Sequence, residues 1–170
     1  YATISHMKAG VVALVGRPNV GKSTLLNNIL GQKVSITSPK PQTTRFSIQA
    51  VYEDDRGQII FIDTPGFYGK AENDTAKMVN RQAEKVFSER LDLVVYLIDF
   101  SKKRDSEENK VLGLVRKLEV PKILVVNKID LRKRDFEAEY TFYEDEFPEI
   151  IKISALRKSN LNLLLDKIFT

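Results

Sequence analysis

The chain has 170 residues, with 27 Lys and Arg against 23 Asp and Glu, one His and no Cys. Such a length suits one domain with its own core, and the missing cysteines exclude disulfides, thiolate zinc sites and cysteine nucleophiles. The single histidine, His6, leaves no Ser-His-Asp triad or His-ligated metal, so any metal binds through oxygen, which favours Mg²⁺ or Ca²⁺.

Residues 1–6 read as an expression remnant and Met7 as the native start, so residues 7–170 form the domain. A net charge of +4 and a pI near 9.2 permit a nucleic-acid partner without demanding one. No apolar run approaches the roughly 20 residues of a transmembrane segment, so a soluble, cytoplasmic monomer is expected.

The first predicted strand is the apolar run Val11–Val15. Gly16-Arg17-Pro18-Asn19-Val20-Gly21-Lys22-Ser23 follows it and fits G-x-x-x-x-G-K-[ST], a phosphate loop, between that strand and a helix at Lys22–Leu30. Successive N–H groups of Asn19, Val20, Gly21, Lys22, Ser23 and Thr24 would cradle phosphates. Lys22 would reach the β- and γ-phosphates, and the Ser23 hydroxyl would bind Mg²⁺. Gly31 suits the end of the helix.

Phe46–Tyr52 and Gln58–Asp63 read as strands of a hairpin closed by Asp55-Arg56-Gly57. Asp63-Thr64-Pro65-Gly66 comes next. Asp63 there would hold Mg²⁺ and the Gly66 N–H would sense a γ-phosphate. A helix is predicted over Ala76–Arg90, a buried strand over Leu93–Ile98, and a helix over Glu107–Leu118.

Asn127-Lys128-Ile129-Asp130 ends the strand Ile123–Val126 and decides the base. A carboxylate at Asp130 accepts from guanine N1–H and the 2-amino group together. Adenine offers neither donor, so such a site discriminates by about 10⁴ or more. Asn127 would tie the loop together, and the Lys128 stem would cover one face of the base. A helix is predicted over Phe136–Phe147 and a strand at Ile150, Ile151 and Ile153. Ser154-Ala155-Leu156 follows, with backbone N–H groups that could donate to guanine O6, and the helix Leu161–Phe169 closes the chain. Alternating βα units imply an α/β fold, with motifs at the carboxyl ends of a mostly parallel sheet.

These motifs resemble those of the translation-factor-related (TRAFAC) GTPases. GRPNVGKSTLLN over residues 16–27 resembles the Era/EngA/TrmE-like branch, and GQKVSIT with SPKPQTTR over residues 31–45 resembles the Era-like GTPases in particular. The resemblance implies a P-loop NTPase G domain: a six-stranded, mostly parallel sheet with helices on both faces. It implies a Mg²⁺-dependent GTPase that binds GTP and GDP, with Lys22, Thr44 and Gly66 as its catalytic set and Ser23, Thr44 and Asp63 at the metal. Lys33–Arg45 is then the first switch and Asp63 to about Asp74 the second, with Thr44 preferred over Thr43.

The resemblance also implies a role in assembly of the small ribosomal subunit, with rRNA bound through a C-terminal KH domain. The chain stops at Thr170, where the last helix of such a G domain ends, so that KH domain is read as absent. Phe67 stands where many small GTPases carry a water-orienting glutamine, which predicts a low intrinsic rate. It also sustains an alternative, a nucleotide-dependent binding module with negligible hydrolysis until a partner binds. Asn19 occupies the place of an asparagine that binds K⁺ in related GTPases; the other reading is that its side-chain amide stabilises the loop. The basic runs Lys102-Lys103-Arg104 and Arg132-Lys133-Arg134 are read as solvated surface, with rRNA contact as the second reading.

Overall fold

A computed structural model describes residues 8–31, 48–63, 91–131 and 136–170. The helix expected over Ala76–Arg90, the first switch, Arg132-Lys133-Arg134 and nearly all of the second switch lie outside them.

The strands are β1 (Lys8–Val15), β2 (Ile48–Asp54), β3 (Gly57–Asp63), β4 (Leu93–Asp99), β5 (Lys122–Asn127) and β6 (Ile150–Lys152). They form one sheet in the order β2-β3-β1-β4-β5-β6. Only β2 runs antiparallel, pairing with β3 through the expected hairpin. Gly57 opens β3 at φ +147, and a Cβ there would lie 2.1 Å from the Lys8 carbonyl oxygen, so glycine is required where β1 passes.

Alternation along the strands sorts the core into two layers. Val12 and Leu14, Ile59 and Phe61, Val95 and Leu97, and Ile123 and Val125 face helices α1 (Lys22–Leu30) and α4 (Leu161–Ile168). Ala13 and Val15, Val94, Tyr96 and Ile98, and Leu124 and Val126 face α2 (Ser106–Arg116) and the short α3 (Tyr143–Glu146). Helices therefore cover both faces, as βα alternation predicts. Among the described residues, no helix is long and apolar enough to cross a membrane.

The segment Phe136–Phe147 departs from expectation. Its apolar spacing suits one helix, but it forms a 3₁₀ turn at Glu137–Glu139 and then only α3. Backbone bonds close three residues apart, Glu139 N–H to Phe136, Tyr143 to Tyr140 and Glu144 to Thr141. The Thr141 hydroxyl donates to the Ala138 carbonyl, which an α-helix would offer to the N–H of residue 142. Aromatic residues add little helix propensity to oppose this.

Candidate functional site

The phosphate loop leaves the end of β1, between β3 and β4, where strand order reverses. That is where open α/β sheets bind ligands. Gly21 is left-handed at φ +109, and a Cβ there would sit 2.2 Å from Asn127 Nδ2. The turn thus brings backbone against a side chain from β5, a contact only glycine allows. Lys22 is buried, and its Nζ donates to the carbonyls of Gly16 at 2.9 Å and Arg17 at 3.0 Å. Ser23 and Thr24 are exposed on the first turn of α1.

Asn127 ends β5 and is 1% exposed. Its Nδ2 donates to the Val20 carbonyl at 2.9 Å, and its Oδ1 accepts from the Ala155 N–H at 2.9 Å. One amide thus ties the phosphate loop to both loops expected to read the base. Lys128 adds a second tie, since its Nζ donates to the Asn19 carbonyl at 2.9 Å and to Asp99 Oδ2 at 2.6 Å. Burial opposes the Asp99 charge, but donors from Lys128 and Ser101 outweigh it and hold the carboxyl below its ordinary range.

Ser154 is buried, and its hydroxyl donates to Asp130 Oδ1 at 2.5 Å. Its backbone N–H pairs with the Ser159 carbonyl at 3.3 Å. In this structure Ser154 therefore serves the site through its hydroxyl, orienting the expected base-reading carboxylate, and the Ala155 N–H is held by Asn127. Leu156 is 67% exposed at the rim. Asn19, Gly21, Lys22, Ser23, Thr24, Asn127, Lys128, Asp130, Leu131, Ala155 and Leu156 line one cleft of about 450 Å³, a size suited to a nucleotide. A larger cavity of about 660 Å³ lies at the amino ends of the strands, lined by Val12, Ile59, Leu93, Ile123 and Phe169, away from every motif.

The donors near the phosphate loop suit a hard cation. Ser23 offers a hydroxyl, and Asp63 closes β3 in register with Leu14 of β1, one strand from the loop. Mg²⁺ needs only one or two protein oxygens beside phosphate and water. The Asp63 side chain, Thr44, Gly66 and Phe67 lie outside the described residues.

Sequence reasoning missed Asp99 and a buried cluster behind the loop. Arg17 is 7% exposed on its side chain, and its Nη1 meets Asp105 Oδ2 at 2.7 Å while its Nε meets Glu108 Oε2 at 2.7 Å. An acid ending an all-apolar strand was a usable signal for Asp99. Of the basic run 102–104, Lys102 and Lys103 are exposed, but the Arg104 guanidinium lies 4.2 Å over the Phe142 ring.

Residues 11–128 match the family of 50S ribosome-binding GTPases, and the chain belongs to that family. It is 44% identical over 167 residues to GTPase Era of Borreliella burgdorferi (strain ZS7), covering 96% of this chain and 57% of that protein. It is 44% identical over 162 residues to GTPase Era of Clostridioides difficile (strain 630), covering 93% of this chain and 54% of that one. The chain thus spans little more than half the length of these curated relatives. Among solved structures it is similar to a variant of Aquifex aeolicus Era bound to GDP·AlF4⁻, with 40% identity and a TM-score of 0.76 over 96% of this chain and 56% of that one. Era in complex with MgGDPNP and nucleotides 1506–1542 of 16S ribosomal RNA is equally similar, at 40% identity and TM-score 0.76, over 96% of this chain and 57% of that one. The FeoB G domain of Methanococcus jannaschii shares the fold at TM-score 0.68 and 23% identity.

Proposed function

We propose that this chain is the nucleotide switch of an Era-type protein: it binds GTP and GDP with Mg²⁺ and hydrolyses GTP slowly. The observation that carries the reading is the double tie of Asn127, which joins the phosphate loop at Val20 and the Ala155 loop beside Asp130. The base-reading role expected of Asp130 favours guanine, whose N1–H and 2-amino group are donors that adenine lacks, over a P-loop ATPase reading.

In this reading Lys22 leaves the loop carbonyls for the β- and γ-phosphates, and N–H groups of residues 19–24 donate to phosphate oxygens. Ser23, Thr44 and Asp63 would hold Mg²⁺, which supplies charge neutralisation between the phosphates. The Gly66 N–H would report a γ-phosphate. The Lys128 stem and Leu156 flank the base, and Asp130, oriented by Ser154, reads it. Residues 7–170 make up this G domain.

Asn19 is exposed on the cleft, which supports its reading as the K⁺ site, where a monovalent cation would offset developing transition-state charge. A role in small-subunit assembly is supported by the 40% likeness to Era bound to 16S rRNA. The test is single-turnover hydrolysis of GTP with Mg²⁺, in KCl and in NaCl, with ATP as control. Turnover of GTP alone supports the proposal. Tight GTP binding without turnover in either salt would replace it with the partner-dependent binding module.

A further inference from the structure

The phosphate loop carries an arginine that faces away from the cleft. Arg17 is not among the cleft's lining residues, and its guanidinium is buried between Asp105, which caps α2, and Glu108 of α2. Asp105 serves two ends at once. Its Oδ1 caps α2 by accepting from the N–H groups of Glu107 and Glu108, both at 3.0 Å, while its Oδ2 takes Arg17. Glu108 is fully buried and accepts from the Tyr96 hydroxyl of β4, which lies 3.3 Å from that of Tyr143.

Burial pushes the Glu108 carboxyl up, whereas Glu108 and Asp105 raise the Arg17 guanidinium against its own burial. The Tyr96 hydroxyl donates to one Glu108 oxygen, and the Arg17 guanidinium lies 2.7 Å from the other as an ion-pair contact without hydrogen-bond geometry. A buried pair of this kind is a costly way to gain stability and is better suited to fixing one geometry.

What it fixes is the start of the phosphate loop. The carbonyls of Gly16 and Arg17 are the acceptors for Lys22 Nζ, and Arg17 is held to α2 through its own side chain. We propose that Arg17 is a positioning residue: clamped by Glu108 and Asp105, it sets the loop backbone that places Lys22 for the terminal phosphates. This rests on the guanine-nucleotide reading of the site. The base-reading loops have holds of their own outside the phosphate loop, Lys128 on Asp99 and Asn127 on Ala155. Loss of the clamp therefore acts first on the Gly16 and Arg17 carbonyls that hold Lys22, at the phosphate end of the nucleotide, and less on the base end.

The experiment compares wild type, Arg17→Lys and the double variant Arg17→Met/Glu108→Gln. The double variant removes both charges, keeps an acceptor for Tyr96 and avoids an unpaired buried carboxylate. Affinities for GDP and the non-hydrolysable analogue GDPNP are measured with Mg²⁺, with kcat and KM for GTP and a thermal melt. The double variant should melt within a few degrees of wild type and hold GDP within about threefold. Its preference for GDPNP over GDP and its kcat should each fall about tenfold, since small displacements of a charge-stabilising group are felt most as charge develops. Arg17→Lys should recover part of both. Unchanged GDPNP preference and kcat in the folded double variant would overturn the proposal, as would equal losses for GDP, GDPNP and thermal stability, which indicate a purely structural pair. A wild type that binds neither nucleotide would instead refute the underlying guanine reading, which the clamp variants do not affect.

Discussion

Asn127→Ala is the sharpest perturbation of the base loop. The amide is 1% exposed and makes two bonds of 2.9 Å, to the Val20 carbonyl and from the Ala155 N–H. Val20 and Ala155 are each 1% exposed, so water does not readily replace the lost partner. Each orphaned group costs about 1–3 kcal/mol, which places the total at about 2–6 kcal/mol. Nucleotide binding needs the phosphate and base loops in one register, so about 3 kcal/mol of this should appear as lost affinity. That corresponds to roughly 150-fold weaker GDP binding. The remainder should lower the urea midpoint of the nucleotide-free chain. The assay is displacement of a fluorescent GDP, with Asn109→Ala, on the exposed side of α2, as a control that stays within about twofold. A GDP affinity within threefold of wild type, with an unchanged midpoint, would refute the claim that one amide holds the site together.

Asp130→Asn should move preference from guanine to xanthine nucleotides, which direct competition checks; retained guanine preference would remove Asp130 from the base. Gly21→Ala should abolish tight GDP binding, because φ is +109 and the new Cβ would fall 2.2 Å from Asn127 Nδ2, as equilibrium dialysis can test. Asn19→Ala should lose any faster turnover in K⁺ than in Na⁺, and an unchanged salt response would assign Asn19 to the loop alone. The last prediction concerns acid stability. Hydrogen bonds from Arg56 hold the Asp54 carboxyl well below its ordinary range despite some desolvation. A depressed folded-state pKa gives stability that is full above about pH 4 and lost as pH falls through the folded value. Arg56→Met should therefore be less stable than wild type at neutral pH, with the gap closing below about pH 4 in urea titrations.

The parts of the site legible in sequence are contiguous. Gly16–Ser23 and Asn127–Asp130 each place their groups within a few residues of a strand end, so local backbone geometry carries the information. The hidden parts are long-range. Arg17 meets Asp105 across 88 positions and Lys128 meets Asp99 across 29, and no local pattern connects such residues. Ser154 lay between the two cases: its place in the site was readable, but the service of its hydroxyl to Asp130, 24 positions away, was not. In the fold, the apolar runs of strands buried on both faces and the hairpin turn were readable. Phe136–Phe147 was misread because apolar spacing records which residues are buried. It does not record whether the backbone bonds close three residues apart, as they do at Glu139, Tyr143 and Glu144, or four.

The hairpin of β2 and β3 has a fixed end and a working end. At its turn, Arg56 bonds Asp54, pairs with Asp166 of α4 and stacks 4.3 Å over Phe169. Asp63, at the other end of β3, borders the phosphate loop through its register with Leu14. Seven residues of strand span about 20 Å between the two ends. Because β3 pairs with β1 from Gly57 opposite Lys8 to Asp63 opposite Leu14, the anchored turn and the end beside the phosphate loop belong to one continuous strand pair.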